Sequence, residues 1–80
     1  EIIVRISQEG ALEYAGEPVS LSELGTRLRT AHDNYPDQAV VIRGDGRVAF
    51  RRVAEVMSGC EAAGITQIAV HVRETVKEQN

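Results

Sequence analysis

Few side chains in this sequence have the chemistry of a catalyst or a metal ligand. The 80 residues include one cysteine, Cys60, and two histidines, His32 and His71. Cys60 has no basic residue or histidine four positions away, which favours a buried thiol over a nucleophile. A zinc site or a nucleophile–histidine pair cannot be assembled from so few candidates. We therefore expect no enzymatic activity, no cofactor and no bound metal.

One glycine-rich loop lies between a strand-like run and a helix-like run. The loop reads Gly44-Asp45-Gly46-Arg47, and phosphate-binding loops occupy such positions. It matches neither the dinucleotide-binding nor the P-loop pattern, because the required glycine spacing and the following Lys and Ser/Thr are missing. We interpret it as a tight connection in which Asp45 accepts hydrogen bonds from the backbone.

Charge and composition exclude several classes of function. The formal net charge is −3, and the only aromatic residues are Tyr14, Tyr35 and Phe50. A nucleic-acid-binding domain usually carries a basic excess and stacking aromatics, so nucleic acid is not an expected partner. No apolar run approaches the roughly 20 residues that cross a bilayer. The sequence begins at Glu1 rather than Met, and we interpret it as a piece of a longer protein.

Alternating apolar residues predict a sheet. Ile2, Val4 and Ile6 alternate with Ile3 and Arg5, the pattern of a half-buried strand. Residues 8–10 form a turn, and residues 11–14 return as a second strand. A short extended piece follows over residues 17–19, and further strands are predicted over residues 39–43 and 67–73.

Helical periodicity appears twice. Ser20 and Glu23 fit a capping box, and the helix that they begin must end near Asp33 or Asn34, because Pro36 follows. A second helix is predicted over residues 49–63. Gly59 lies in its middle and suggests a close packing contact. Its expected buried stripe consists of Phe50, Val53, Met57 and Cys60, widened by Val56 and Ala63.

The element order is β-β-(β)-α-β-α-β. The crossover between the last two strands should be right-handed, which makes them parallel, whereas the opening hairpin is antiparallel. Each long strand has one apolar face, so both helices are expected on one side of the sheet. The fold class is therefore α/β (α+β): a two-layer sandwich with two helices on one face of a mixed four- to five-stranded sheet.

The opposite, open face of this sheet carries the most informative set of residues. Although the domain is acidic overall, this face is predicted to be basic and partly apolar. It is either a solvated surface or a docking surface for an acidic or extended partner. The strand at residues 67–73 is the expected edge. By strand parity the set consists of Arg5, Arg43, His71 and Arg73, with Ile3 and Val41 among them.

An ordered series of short motifs runs through most of the chain: Val19-Ser20-Leu21-Ser22-Glu23-Leu24, then Val40-Val41-Ile42-Arg43-Gly44-Asp45, then Ala63-Gly64-Ile65. Together they resemble the C-terminal domain of the ExbD/TolR biopolymer-transport family, and the first of them resembles the family's entry to its first helix. The chain departs from the family pattern at Ala49, where Pro is usual, and at Phe50, where Tyr is usual. The family-motif positions in this chain are Asp45, Val48, Phe50, Met57 and Gly64.

The resemblance implies a function that the residues alone do not. It implies a bacterial inner-membrane, single-pass protein whose periplasmic domain spans residues 1–73, followed by a polar tail over residues 74–80. Such a domain dimerises and works in a motor driven by the proton motive force. The partners implied are an ExbB- or TolQ-like membrane protein, contacted through a transmembrane segment outside this sequence, a TonB- or TolA-like protein, and peptidoglycan for TolR members.

A second interpretation remains open from the residues alone. A small regulatory or ligand-binding α/β domain, unrelated to membrane energy transduction, would share the same two-layer arrangement, because a fold does not fix a function. A single apolar segment of about 20 residues with an internal Asp just upstream would favour the transducer. A fused catalytic domain would favour the alternative.

Overall fold

The computed structural model describes residues 1–73, and the predicted polar tail, residues 74–80, lies outside them. Within these described residues, five strands and two helices follow one another. They are β1 (Ile2–Ile6), β2 (Leu12–Tyr14), β3 (Glu17–Val19), α1 (Leu21–Asn34), β4 (Ala39–Asp45), α2 (Phe50–Ala62) and β5 (Gln67–Arg73).

The strands form one mixed sheet in the order β3-β2-β1-β4-β5. The hairpins β1–β2 and β2–β3 are antiparallel, whereas β1–β4 and β4–β5 are parallel. This confirms the predicted two-layer α+β class, the antiparallel opening and the parallel βαβ unit. It also places β5 at one edge of the sheet, as expected, and β3 at the other.

The helix boundaries follow from local chemistry. Glu23 donates its backbone N–H to the Ser20 hydroxyl, and the Glu23 carboxylate accepts the Ser20 N–H, both at 3.0 Å, so the predicted capping box is present. Helix α1 ends at Asn34, where Tyr35 becomes extended before Pro36. Helix α2 ends just before Gly64, whose φ of 91° lies in the left-handed region that glycine tolerates best.

The core lies between the two helices and one face of the sheet. Val4 and Ile42 from the central strands meet Leu28 of α1 and Val56 of α2, and all four are fully buried. Alternation along β1 and β4 therefore directs Ile3, Arg5, Val41 and Arg43 to the other face. Because no helix within residues 1–73 covers that face, these four side chains are half-buried or exposed.

Two expectations about α2 are wrong. Phe50 is 81% exposed instead of belonging to the buried stripe, because it is the first residue of the helix and lies beyond the core. Val53 and Cys60 are buried, and Met57 packs against the core from a partly buried position. Gly59 has no close neighbour either, since a Cβ built there would meet nothing within 4 Å.

Candidate functional site

The strand register aligns three basic residues in one row across the open face. Arg5 of β1 lies opposite Arg43 of β4, and Arg43 lies opposite His71 of β5. All three side chains are exposed. We call Arg5, Arg43 and His71 the basic row. Glu13 of β2 lies opposite Arg5, so an acidic residue follows the basic row on the next strand.

The basic row lines an open groove of about 620 Å³. The groove also includes Ser7, Glu13 and Asp45, and it reaches Val72 at the edge strand. The wall is therefore largely polar and carries charges of both signs, because Glu13 and Asp45 line it together with the two arginines of the basic row. A groove of this kind suits an extended, polar or charged ligand better than an apolar one.

The positive charges of Arg5 and Arg43 form no ion pair within the part of the chain that the structure describes. There, neither Arg5 nor Arg43 has a carboxylate oxygen within 4.0 Å, and the two ion pairs present join Arg27 to Glu17 and Arg52 to Glu55. Like charges directly opposite each other on a sheet are destabilising. An anionic group placed over the row would relieve that repulsion.

An apolar row runs beside the basic one. Ile3, Val41 and Ala69 are aligned in the register of β1, β4 and β5. Ile3 and Val41 are half-buried and Ala69 is exposed. At the other side of the basic row, Arg73 ends β5 opposite Asp45. The structure thus brings together Ile3, Arg5, Val41, Arg43 and His71 on the open face, as the alternation predicted.

The outer edge of β5 is open, because no strand lies beyond it within residues 1–73. Its backbone groups on that side can therefore pair with another chain. Val70 and Val72, on the helix side of β5, are 37% and 46% exposed. The sequence predicted one apolar face for each long strand, but it could not show that the two helices leave this face of β5 partly uncovered.

The opposite edge, β3, is less suited to pairing. It has three residues, and Pro18 in its middle has no N–H to donate. Glu17 is also held by Arg27 of α1, whose Nη1 donates to the Glu17 carboxylate at 2.9 Å. Of the two edges, β5 offers the longer run of backbone donors and acceptors.

Three of the family-motif positions shape the loops around α2. The Asp45 carboxylate accepts the backbone N–H of Arg47 at 3.0 Å, as the loop chemistry predicted. Val48 packs closely against Gly44. A Cβ added at Gly44 would lie only 3.0 Å from the Val48 Cγ1. Gly64 packs against the His32 ring, which would lie 2.9 Å from such an atom.

The other side chains that could take part in chemistry lie outside the groove. Burial raises the pKa of the Cys60 thiol to about 11, so the thiol stays protonated at neutral pH. The buried Nδ1 of His32 has no hydrogen-bond partner among the residues that the structure describes. Residues 1–73 hold no cluster of three or more His, Cys, Asp or Glu side chains suited to a metal ion. The expected absence of catalysis and of bound metal stays a prediction.

No helix within residues 1–73 combines the length and the apolar character that crossing a membrane requires.

Comparison with known proteins identifies a family. The family model described as biopolymer transport protein ExbD/TolR matches residues 1–75. Two relatives, each named biopolymer transport protein exbD1, come from Xanthomonas campestris pv. campestris strains B100 and ATCC 33913. Each is 27% identical to this chain over 67 residues, which cover 84% of the chain and 48% of the relative. The chain thus spans about half the length of these relatives.

Proposed function

We propose a function from one premise: this chain belongs to the biopolymer transport protein ExbD/TolR family. Membership makes it part of a biopolymer-transport system. We propose that residues 1–73 are the periplasmic partner-binding and dimerisation module of an inner-membrane energy transducer driven by the proton motive force. The system would be of the ExbB–ExbD/TonB or the TolQ–TolR/TolA type, and it would support outer-membrane transport or envelope integrity.

The proposed partners divide by location. An ExbB- or TolQ-like protein would contact a transmembrane segment outside the 80 residues. A TonB- or TolA-like protein, a second copy of this chain and, for a TolR-type protein, peptidoglycan would contact the domain described above.

The observation that carries the proposal is the open edge of β5 beside the basic row. An extended partner can add to that edge, with backbone hydrogen bonds supplying affinity. Arg5, Arg43, His71 and Arg73, with Ile3 and Val41, would then recognise its side chains, and the positive charge would mainly raise the association rate. Family membership favours this function over the alternative of an unrelated regulatory or ligand-binding domain. We also propose that the domain is not an enzyme.

Photo-crosslinking in the full-length protein, in its own membrane, tests the proposal. A photoreactive residue at Ala69, which is exposed on β5, should form crosslinks to the TonB- or TolA-like partner and to a second copy. Arg5→Glu combined with Arg43→Glu should reduce the crosslinks to the partner several-fold. The matched control, Arg47→Glu with Arg51→Glu, makes the same change in charge at exposed positions outside the row.

The control should retain wild-type crosslinking, because its residues lie outside the basic row. Full crosslinking in the Arg5→Glu, Arg43→Glu variant would mean that the basic row is a solvated surface. Transport activity must first show that the system is assembled. If the wild-type protein then gives no crosslink from Ala69, the proposed role of β5 is refuted.

A further inference from the structure

We propose that His71 is a proton-operated switch in the groove of the open face. With its imidazole charged, the groove binds a carboxylate of a partner polypeptide more tightly than with the imidazole neutral. This inference rests on the proposed function and specifies how binding at the same face is regulated. It starts from the position of His71 in the basic row, directly opposite Arg43.

Within residues 1–73, the fixed charges that line the groove cancel. The guanidinium groups of Arg5 and Arg43 lie in its wall together with the carboxylates of Glu13 and Asp45. A guanidinium group stays charged at any pH at which proteins are folded, and carboxylates are ordinarily ionised above about pH 5. These four side chains therefore give the groove no net charge of either sign.

The charge of the groove is decided by His71, which lies in the same wall. Imidazole is the side chain that ordinarily gains a proton as the pH falls from about 8 to about 5. The His71 side chain is exposed, so solvent can deliver that proton. Protonation leaves the groove with an excess of one positive charge, in a chain whose formal net charge at pH 7 is −3.

Charged groups face His71 from the strands, because within residues 1–73 both helices pack against the other face of the sheet. Arg43 lies directly opposite His71, and Asp45 follows Arg43 by two residues, which places it on the same face. Along β5, Arg73 comes two residues after His71. Beyond Arg43, the neighbouring strands contribute Arg5 and then Glu13.

A charged His71 would meet a like charge on β4. Residues directly opposite each other with charges of the same sign repel, and Arg43 forms no ion pair among the described residues. Asp45 does not provide the missing anion. Its carboxylate accepts the Arg47 N–H at 3.0 Å, and within residues 1–73 it forms no ion pair with either basic residue.

A carboxylate from a partner can relieve this repulsion. The guanidinium of Arg43 and the imidazolium of His71 are both charge-assisted donors, and a carboxylate can accept from the two together. Proton and ligand then favour each other's binding, because the coupling between two binding events is reciprocal. Acid conditions should therefore promote docking of an acidic segment, and docking should draw a proton onto His71.

Peptide titrations at two pH values test the inference. The probe is a blocked pentapeptide, Ala-Glu-Glu-Glu-Ala, added to the isotope-labelled 80-residue chain and followed by NMR. Its carboxylates remain largely ionised at pH 5.5. Shifts should concentrate in the groove, and binding should be about two- to fivefold tighter at pH 5.5 than at pH 7.5, the range of one exposed pair of opposite charges. The neutral peptide Ala-Gln-Gln-Gln-Ala should show no such difference.

Variants at the two histidines isolate the switch. His71→Gln should keep the weaker binding at both pH values, and His71→Lys should keep the tighter binding at both, because Lys stays charged throughout. His32→Gln is the matched control, since His32 packs against Gly64 outside the groove, and it should retain the wild-type pH dependence. The ring resonances of His71 should titrate at a higher pH with the Glu peptide bound than without it.

Several results would overturn the switch. They are equal binding of the Glu peptide at the two pH values, an undiminished difference in His71→Gln, the same difference with the Gln peptide, and no binding of the Glu peptide in the groove. Each of them leaves the proposed function standing if Ala69 still crosslinks the assembled full-length protein to its partner. Absence of those crosslinks while transport is active would instead refute the proposed function.

Discussion

Replacing Gly64 by Ala should destabilise the domain for two separable reasons. The φ of 91° at Gly64 lies in the left-handed region, where a residue with a Cβ is disfavoured by about 1–2 kcal/mol. The new Cβ would also lie 2.9 Å from Nε2 of His32, and such overpacking adds about 1–3 kcal/mol. The combined loss of about 2–5 kcal/mol is large beside the roughly 4–12 kcal/mol expected for 80 residues.

Two other glycines provide matched controls for these two effects. Gly16 has a φ of 89°, but a Cβ there would meet nothing within 4 Å. Gly16→Ala should therefore show the backbone strain alone, about 1–2 kcal/mol. Gly59 lies within α2, without positive φ and without a neighbour within 4 Å. Gly59→Ala should stabilise the domain by about 0.4–1 kcal/mol.

A double-mutant cycle separates the clash from the strain. His32→Ala removes the ring that the Gly64→Ala methyl group would meet, so the penalty of Gly64→Ala in that background should fall to that of Gly16→Ala. The coupling free energy between positions 32 and 64 should be about 1–3 kcal/mol. Urea unfolding followed by circular dichroism measures each variant. A Gly64→Ala variant as stable as Gly16→Ala, or a coupling near zero, would contradict the geometry described at His32.

Two further predictions concern helix α2. Val53→Asp should unfold the domain, because Val53 is 4% exposed and an unpaired carboxylate would be buried there. Circular dichroism should show the loss of secondary structure, whereas the control Ser58→Asp, at an exposed position, should stay folded. A folded Val53→Asp variant would mean that the helical face assigned to the core in α2 is wrong. Burial raises the pKa of the Cys60 thiol to about 11, so above about pH 9 the unfolded thiol ionises while the native one does not, and stability should fall with rising pH. Urea unfolding at pH 7 and pH 10 should show a smaller fall for Cys60→Ala than for the wild-type chain, and equal falls would contradict the burial of the thiol.

The sequence contained most of the information about which face of each element is buried. Alternation along residues 2–6 and 39–43 correctly separated Val4 and Ile42 from Arg5 and Arg43, because strand side chains alternate strictly. The capping box at Ser20 correctly located the start of α1. These are local effects, since they depend on residues close together in the chain. Alternation alone therefore assigned Ile3, Arg5, Val41 and Arg43 to the open face correctly.

The extent of burial along an element was not predictable in the same way. Phe50 fits the helical period of Val53 and Cys60 but is 81% exposed, and Leu21, the first residue of α1, is 36% exposed. Periodicity defines the apolar face of a helix, but it does not show how far the core extends along the helix axis. That limit depends on where the strands below the helix end, which is a tertiary property.

The arrangement of the strands was equally inaccessible. Nothing local in residues 2–6 shows that β1 pairs in parallel with β4, although this pairing creates the basic row. The exposure of Val70 and Val72 has the same origin, because it depends on β5 lying at the edge beyond the cover of the helices. The candidate site was thus predicted as a set of residues, whereas its geometry required the sheet order.

The basic row and the core depend on one another through the register. A shift of β4 by one residue relative to β1 would bring Arg43 to the helix side and Ile42 to the open face, because side chains alternate along a strand. Burial of Ile42 beside Val4 therefore holds Arg43 opposite Arg5, despite the repulsion between their charges. The folding free energy of the core maintains a positively charged surface that the surface residues alone would not stabilise. Substitutions of Arg5 or Arg43 should therefore change partner binding while leaving the fold intact.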